Sequence, residues 1–286
     1  MTKPIGVVGA GMMGSEIALI FAVAGHSVLL TDQSRAAADA AIVRLETVLD
    51  RGIGRGFFSE ADKGRALGNL RAVDSLDDFA DRQVVVEAVF EDQSVKQAVF
   101  RQLDTILPAD AIIASNTSTI PISTLASVVS AERQSRFLGT HYFSPVHRMK
   151  LVEVIPTFDT AEEVVDEVMD LCRNAGKEPI RVKDVPGFAV NRVLHAFLIE
   201  AVKLVEEGVA TPEDIDKACR LGLGHPVGPF DLMDVVTNSL SLQAQEIMHD
   251  AYGERFRPGS LLKQKVAAGH IGRKSGRGWK VYPPKG

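Results

Sequence analysis

Ile5-Gly6-Val7-Val8-Gly9-Ala10-Gly11-Met12-Met13-Gly14 decides how the rest of the chain is read. Ile5 to Val8 is a short apolar run of strand type, and the apolar positions that follow, Ile17, Ile20, Phe21 and Ala24, recur at helical spacing. Between the two stands Gly-x-Gly-x-x-Gly. Gly9 permits a tight turn, Gly11 lets backbone N–H groups approach a pyrophosphate, and Gly14 allows the helix to pack closely. The helix N-terminus adds partial positive charge where phosphates would lie. Gly25 ends that helix, His26 to Thr31 reads as a second strand, and Asp32 stands at its carboxyl end. A carboxylate there can accept both ribose hydroxyls and would repel a 2′-phosphate, which predicts NAD over NADP, with Arg35 nearby as the cation that speaks the other way. Strand, glycine turn, helix, second strand and acidic terminus together predict an α/β, Rossmann-like dinucleotide-binding domain. Gly9, Gly11, Met12, Met13, Gly14 and Asp32 are its candidate cofactor-binding residues.

Beyond the second strand, Arg35 to Leu49 reads as a helix. It is followed by the glycine-broken basic stretch Arg51-Gly52-Ile53-Gly54-Arg55-Gly56-Phe57-Phe58, and Ser59-Glu60-Ala61-Asp62 opens another helix with a cap. This helical insertion near 50–66 is long for a connection between strands. Arg51, Arg55 and Lys63 could meet phosphates there, or the segment is a solvated hairpin with ordinary surface charge. The sheet resumes at Gln83 to Val89 and, after a helix over 94–106, at Ala111 to Ala114. Uninterrupted apolar strands of this kind suit a parallel sheet covered on both faces. Glu91 and Lys96 follow the first of them, and Ser115-Asn116-Thr117-Ser118-Thr119 follows the second. Both groups lie at the carboxyl edge, where open α/β sheets bind ligands, although turn and cap chemistry explains small polar residues equally well.

A histidine and a glutamate come next on two short apolar runs, Gly139-Thr140-His141-Tyr142-Phe143 and Leu151-Val152-Glu153-Val154-Ile155. The Ser144-Pro145 turn signal lets these runs fold toward each other. His141 could then give one ring proton to the carboxylate and keep its other nitrogen for a substrate, as a general base must. A satisfied structural histidine is the plainer reading of the pair taken alone.

Pro186-Gly187 breaks the chain after the strand-like Pro179 to Val182, which sets a domain boundary near Asp184: 1–184 for the nucleotide domain and 185–286 for an all-helical domain. Asn191 to Glu207, a helix opened by Thr211-Pro212, Leu232 to Tyr252 and Gly259 to Ala268 are its predicted helices. A helical unit this small makes a thin core, and its apolar stripes favour a homodimer.

Composition narrows the function classes. With 286 residues, 45% hydrophobic and 24% charged, and a formal net charge of −5, the chain offers no electrostatic case for binding nucleic acid. No apolar run approaches the roughly 18 residues that would cross a bilayer. The start runs directly into a strand without a signal-peptide core, and two cysteines, Cys172 and Cys219, are too few for a disulfide framework, so the expectation is a cytoplasmic protein with reduced thiols. His195 and His225 lack a supporting carboxylate pattern, and no metal is expected.

The motifs in order closely resemble the L-3-hydroxyacyl-CoA dehydrogenase family, particularly its bacterial 3-hydroxybutyryl-CoA branch. They are the glycine turn, Asp32, Ser115-Asn116-Thr117-Ser118, His141-Tyr142-Phe143-Ser144-Pro145 and Leu151-Val152-Glu153-Val154. Pro186-Gly187-Phe188-Ala189-Val190-Asn191-Arg192, Gly228-Pro229-Phe230-Asp231 and Gly272 to Trp279 continue the match. The resemblance implies NAD-dependent, reversible oxidation of a (S)-3-hydroxyacyl-CoA, with His141 as base, Glu153 as its partner, and Ser118 and Asn191 on the substrate's reacting oxygens. It places Asp32, Glu91, Lys96 and Asn116 beside the cofactor, implies a homodimer through the second domain, and matches the basic stretch with Arg51 and Arg55 only loosely to a CoA-binding region. Ser144 stands where the family usually has asparagine, and His147-Arg148 where smaller residues are common, so substrate preference is expected to differ. A dehydrogenase of a free hydroxy acid, of carnitine or gulonate type, and a non-catalytic NAD-binding protein are the competing readings.

Overall fold

The glycine turn is where the sheet and its first helix are joined. In the computed structural model, which describes residues 2–283, β1 (Pro4–Val8) runs into α1 (Met12–Val23) through Gly9 at φ +103°. A Cβ on Gly9 would stand 2.5 Å from the Ala88 carbonyl oxygen, and one on Gly14 only 1.9 Å from the Gly9 carbonyl oxygen. Neither position admits a side chain, which is why strand and helix can meet so closely. A Cβ on Gly11 would meet nothing within 4 Å. Packing therefore does not require glycine there, and the space above its backbone is open.

The chain then gives β2 (Ser27–Thr31), α2 (Arg35–Ile53), α3 (Glu60–Asn69), β3 (Leu70–Ala72), β4 (Val84–Glu87), α4 (Gln93–Ile106) and β5 (Ile112–Ser115). After these come α5 (Ile122–Ala126), α6 (Ala131–Gln134), β6 (Phe137–Tyr142), β7 (Leu151–Pro156), α7 (Glu162–Asn174) and β8 (Glu178–Arg181). One sheet holds all eight strands in the order β3-β2-β1-β4-β5-β6-β7-β8, parallel from β3 to β6, with β6 and β7 antiparallel and β8 parallel to β7. Burial follows the strand chemistry: every residue of β4, β5 and β6 is buried, as strands covered on both faces must be. The expected insertion is the α2–α3 pair, packed on α1 and leading to β3, a short edge strand that the sequence pattern did not announce. Helix α2 reaches Ile53, so Arg51 sits in its last turn and only Gly54 to Ser59 form the connection.

The chain divides into compact units at Met1–Val185 and Pro186–Gly286. The second is built from α8 (Val190–Glu206), α9 (Pro212–Gly222), α10 (Pro229–Val236), α11 (Asn238–Tyr252) and α12 (Ser260–Ala267), around Leu198, Val202, Phe230, Met233, Leu262 and Trp279. The helix expected over 232–252 is in fact two. Thr237, at φ +106°, breaks it and caps α11 through a hydrogen bond from Leu240 N–H to its side chain. Asp234 and Asn238 hold the break in place: the Asn238 amide donates to the His270 carbonyl at 2.8 Å, and Asp234 accepts Trp279 N–H at 2.9 Å. Buried Asp216 likewise accepts Phe230 N–H at 2.8 Å at the start of α10 and Lys280 Nζ at 2.6 Å. The tail after α12 is therefore fixed by carboxylates as well as by the burial of Trp279. Among the described residues no helix is long and apolar enough to cross a membrane.

Candidate active site

Strands β6 and β7 place the histidine and the glutamate face to face. In their antiparallel register His141 stands directly opposite Glu153, so both side chains leave the same face of the sheet. His141 Nδ1 lies 2.7 Å from Glu153 Oε2, and both residues are buried, at 4% and 0% exposure. A carboxylate can only accept, so Nδ1 carries a proton, and in the neutral imidazole Nε2 is then the acceptor. That nitrogen is 2.9 Å from Ser118 Oγ, on the loop that leaves the carboxyl end of β5. The Phe143 ring meets the imidazole edge-on, with centroids 4.6 Å apart. Strand β6 is approached closely by α5 because residue 139 is glycine: a Cβ there would lie 2.6 Å from the Ile122 side chain. Asp184 secures α5 by accepting Ile122 and Ser123 N–H at 2.8 and 2.7 Å.

At the carboxyl ends of β1, β2 and β4 lies a cavity of about 560 Å³, bordered by Gly9, Gly11, Met12, Asp32, Val89 and Phe90. Asp32 accepts Ala10 N–H and Gln33 N–H, the latter at 2.7 Å, and so ties the end of β2 to the glycine turn. The open space over Gly11 and the acidic end of β2 fit the pyrophosphate and the adenosine ribose of NAD. Arg35, the cation that could have favoured a 2′-phosphate, is turned to Asp39 at 3.0 Å and Asp74 at 3.5 Å.

Lys96, Glu91 and Asn116 tie the end of β4 and the loop after β5 to each other and to β6. Lys96 is buried at 1% exposure, with Nζ 2.6 Å from Glu87 Oε1 and 3.3 Å from Glu91 Oε2. Glu87 also accepts Val89 N–H at 2.7 Å and Ser115 Oγ–H at 2.6 Å. Burial raises the Glu87 carboxyl above its usual range, with Lys96 and Ser115 pulling the other way. At Glu91 burial also pushes upward, but the Lys96 charge and hydrogen bonds from Thr117, Ser118 and Thr119 outweigh it, and its pKa falls below the ordinary value. The Glu91 carboxylate accepts Thr117 Oγ1–H at 2.6 Å, Ser118 N–H at 2.8 Å and Thr119 N–H at 3.0 Å, which fixes the loop that aims Ser118. Asn116 Oδ1 accepts Tyr142 N–H at 2.9 Å, joining that loop to β6 beside the histidine.

The sequence matches two family profiles, "3-hydroxyacyl-CoA dehydrogenase, NAD binding domain" over residues 4–185 and "3-hydroxyacyl-CoA dehydrogenase, C-terminal domain" over 187–282. The chain belongs to the 3-hydroxyacyl-CoA dehydrogenase family. It is an NAD-dependent oxidoreductase acting on a CH–OH group. It is 40% identical to a probable 3-hydroxybutyryl-CoA dehydrogenase of Deinococcus radiodurans, over 97% of this chain and 99% of the relative. It is also 40% identical to one of Bacillus subtilis, over 99% and 98%. Among solved structures, the (S)-3-hydroxybutyryl-CoA dehydrogenase of Ralstonia eutropha superposes with a TM-score of 0.94 at 40% identity, covering 99% of each chain.

Not every candidate of the dehydrogenase converges on one place. Ser118, His141 and Glu153 form a continuous hydrogen-bonded line, and Gly9, Gly11, Met12, Met13 and Asp32 border the cavity, whereas Gly14 serves the packing of α1. Asn191 belongs to the second unit, in the first turn of α8. His195, one turn on, is buried, and burial lowers its pKa to about 4, which fits a neutral packing role. Arg51 stands exposed in the last turn of α2 and Arg55 exposed on the α2–α3 connection, and Lys63 is paired with Asp50. Glu87 and Glu16 were missed in the sequence. Glu87 read as part of an apolar strand, and Glu16 sits in the apolar run of α1.

Proposed function

We propose that the dehydrogenase interconverts a short (S)-3-hydroxyacyl-CoA, of the 3-hydroxybutyryl-CoA type, and the 3-oxoacyl-CoA, with His141 as general base and Glu153 as its partner. The observation that carries this is the Ser118–His141–Glu153 line, because it holds one imidazole nitrogen as an acceptor at a buried position. Bound NAD supplies the hydride acceptor. His141 takes the proton of the substrate hydroxyl on Nε2, and the imidazolium so formed is stabilised by Glu153 across the 2.7 Å contact. Ser118 Oγ–H, released from Nε2, donates to the oxygen on which charge develops. Asn191 is proposed as a second donor to the substrate's oxygens. Gly11 and the α1 N-terminus hold the pyrophosphate, Asp32 the ribose, and Glu91, braced by Lys96, holds the loop that carries Asn116 and Ser118. Arg51 and Arg55 are assigned to the phosphates of CoA.

The test is NADH oxidation with acetoacetyl-CoA against free acetoacetate. A requirement for the thioester is expected. Equal rates with the free acid point to a hydroxy-acid dehydrogenase, and no reaction with either leaves only a nucleotide-binding protein.

We further propose a homodimer formed through the second unit, supported by the exposed apolar residues Val193 and Leu221 on its helices and Val209 and Leu223 on the adjoining turns. Sedimentation equilibrium should give twice the 30.9 kDa chain mass; the chain mass itself, at micromolar concentration, refutes it. A cytoplasmic setting is supported by Cys172 and Cys219, both buried free thiols.

A further inference from the structure

Three residues of the hairpin loop, Ser144, His147 and Arg148, each reach a partner outside the loop. The Ser144 hydroxyl lies 3.6 Å from Met12 Sδ, in the glycine turn's first helical residue. His147 gives both its backbone N–H, at 3.2 Å, and its ring Nδ1, at 3.0 Å, to Glu16 Oε2 on α1. The same imidazole lies against Phe58, with ring centroids 5.9 Å apart and planes 35° apart. The Arg148 guanidinium sits 5.2 Å above the Phe57 ring. Beneath the loop, the buried Lys177 ammonium binds the Val146 carbonyl and, at 3.0 Å, that of Met149. The loop backbone is therefore held from below while two adjacent side chains reach across to two adjacent aromatic residues.

Those aromatic residues belong to the connection between α2 and α3, which contains Gly54 and Gly56 and carries Arg55. Glycines make such a turn loose in free solution. Phe58 is seated on Gly52, where a Cβ would come within 2.4 Å of its ring, so the aromatic end of the turn has a fixed place. His147, aligned by Glu16, closes over it from the catalytic side.

We propose that His147 and Arg148 are positioning residues that fasten the α2–α3 turn to the catalytic hairpin loop, and so set where the carrier half of a CoA thioester is held relative to His141. This rests on the reading above, in which Arg51 and Arg55 take the CoA phosphates. Neither residue touches the reacting atoms. Their effect is preorganisation: a binding turn already held in place does not have to be ordered by the substrate.

The experiment compares acetoacetyl-CoA with acetoacetyl-N-acetylcysteamine, which keeps the thioester and lacks the phosphates and adenosine. In the full-length H147A/R148A protein, KM for the CoA thioester is expected to rise about tenfold with kcat within about twofold. The short thioester should change in neither parameter by more than about twofold. H147N/R148K restores a donor to Glu16 and a cation over Phe57, and should bring KM back to within about threefold of wild type. Equal losses with both substrates mean a structural role and overturn the proposal, as does no change with either. Should the double variant fail to fold, the exposed R148A alone reads the same ratio, with a rise of about threefold expected and an unchanged KM overturning it. The wild-type enzyme separates the two readings: if it ignores acetoacetyl-CoA the functional assignment fails, whereas wild-type activity with unmoved variants removes only the fastening.

Discussion

His141→Gln is expected to lower turnover by about 10²–10⁴-fold while leaving the dissociation constant for NAD within about twofold. Glutamine is close to histidine in reach, and its amide can still donate to Glu153, so β6 and β7 keep their register and their polar contact. It cannot accept the proton of the substrate hydroxyl, because an amide nitrogen offers no basic lone pair. The proposed cofactor determinants, the glycine turn and Asp32, lie elsewhere in the same unit, and Asp32 is bonded to Ala10 N–H rather than to the imidazole. Steady-state kinetics with acetoacetyl-CoA and a fluorescence titration with NADH separate the two quantities. Losses of similar size in turnover and in nucleotide binding identify His141 as a structural histidine and sink the assignment. A turnover loss confined to the chemical step matches a group whose interaction is made in the transition state.

The parts of this fold that were legible in the sequence are those where a residue type is forced by local geometry. At Gly9 a positive φ and the Ala88 carbonyl exclude a side chain, and at Gly14 the Gly9 carbonyl does, so the turn declared itself. His141 and Glu153 were legible because a turn signal separates two short apolar runs, and the register then brought them opposite each other. What stayed hidden depends on partners far away in the chain. Glu16 looks like a stray charge in the apolar run of α1 until His147, 131 positions later, is seen to meet it. The break at Thr237 has no glycine or proline to mark it, since it is held by Asp234 and Asn238 acting on the distant tail. Strand β3, Leu70–Ala72, is too short to show a period and exists because β2 offers it an edge. Lys96 reads in the sequence, with Glu91, as a residue at the carboxyl edge of the sheet beside the cofactor, and nothing local marks it as buried. Its burial follows from two carboxylates that only the sheet brings together.

Lys96→Met is expected to destabilise the nucleotide-binding unit by about 3–5 kcal/mol at pH 8, the cost of leaving a buried carboxylate without its counter-charge. Methionine fills much of the space of the lysine stem, so the loss is electrostatic rather than a cavity. The pH dependence gives the sharper test. The Glu87 carboxyl is raised in the folded protein by burial, so its favourable protonation is fully present below the unfolded pKa and is lost as pH rises through the folded value. Lys96 opposes that raising, and removing it pushes the folded pKa higher still. Glu91 is held low in part by the same ammonium, so its contribution, present above the unfolded pKa, also shrinks when Lys96 is gone. Both changes have one sign: the deficit grows with pH from the carboxylate range upward. Urea unfolding of the variant should therefore show a much smaller loss at pH 5 than at pH 8. Adding Glu87→Gln to Lys96→Met should recover most of the deficit at pH 8, since the amide is neutral and can still serve both Val89 N–H and the Ser115 hydroxyl. A deficit below about 1 kcal/mol at pH 8, or one that does not shrink at pH 5, means that the pair is not ionised as its 2.6 Å contact implies. The loop that aims Ser118 at His141 would then owe its position to the hydrogen bonds of Glu91 and Asn116.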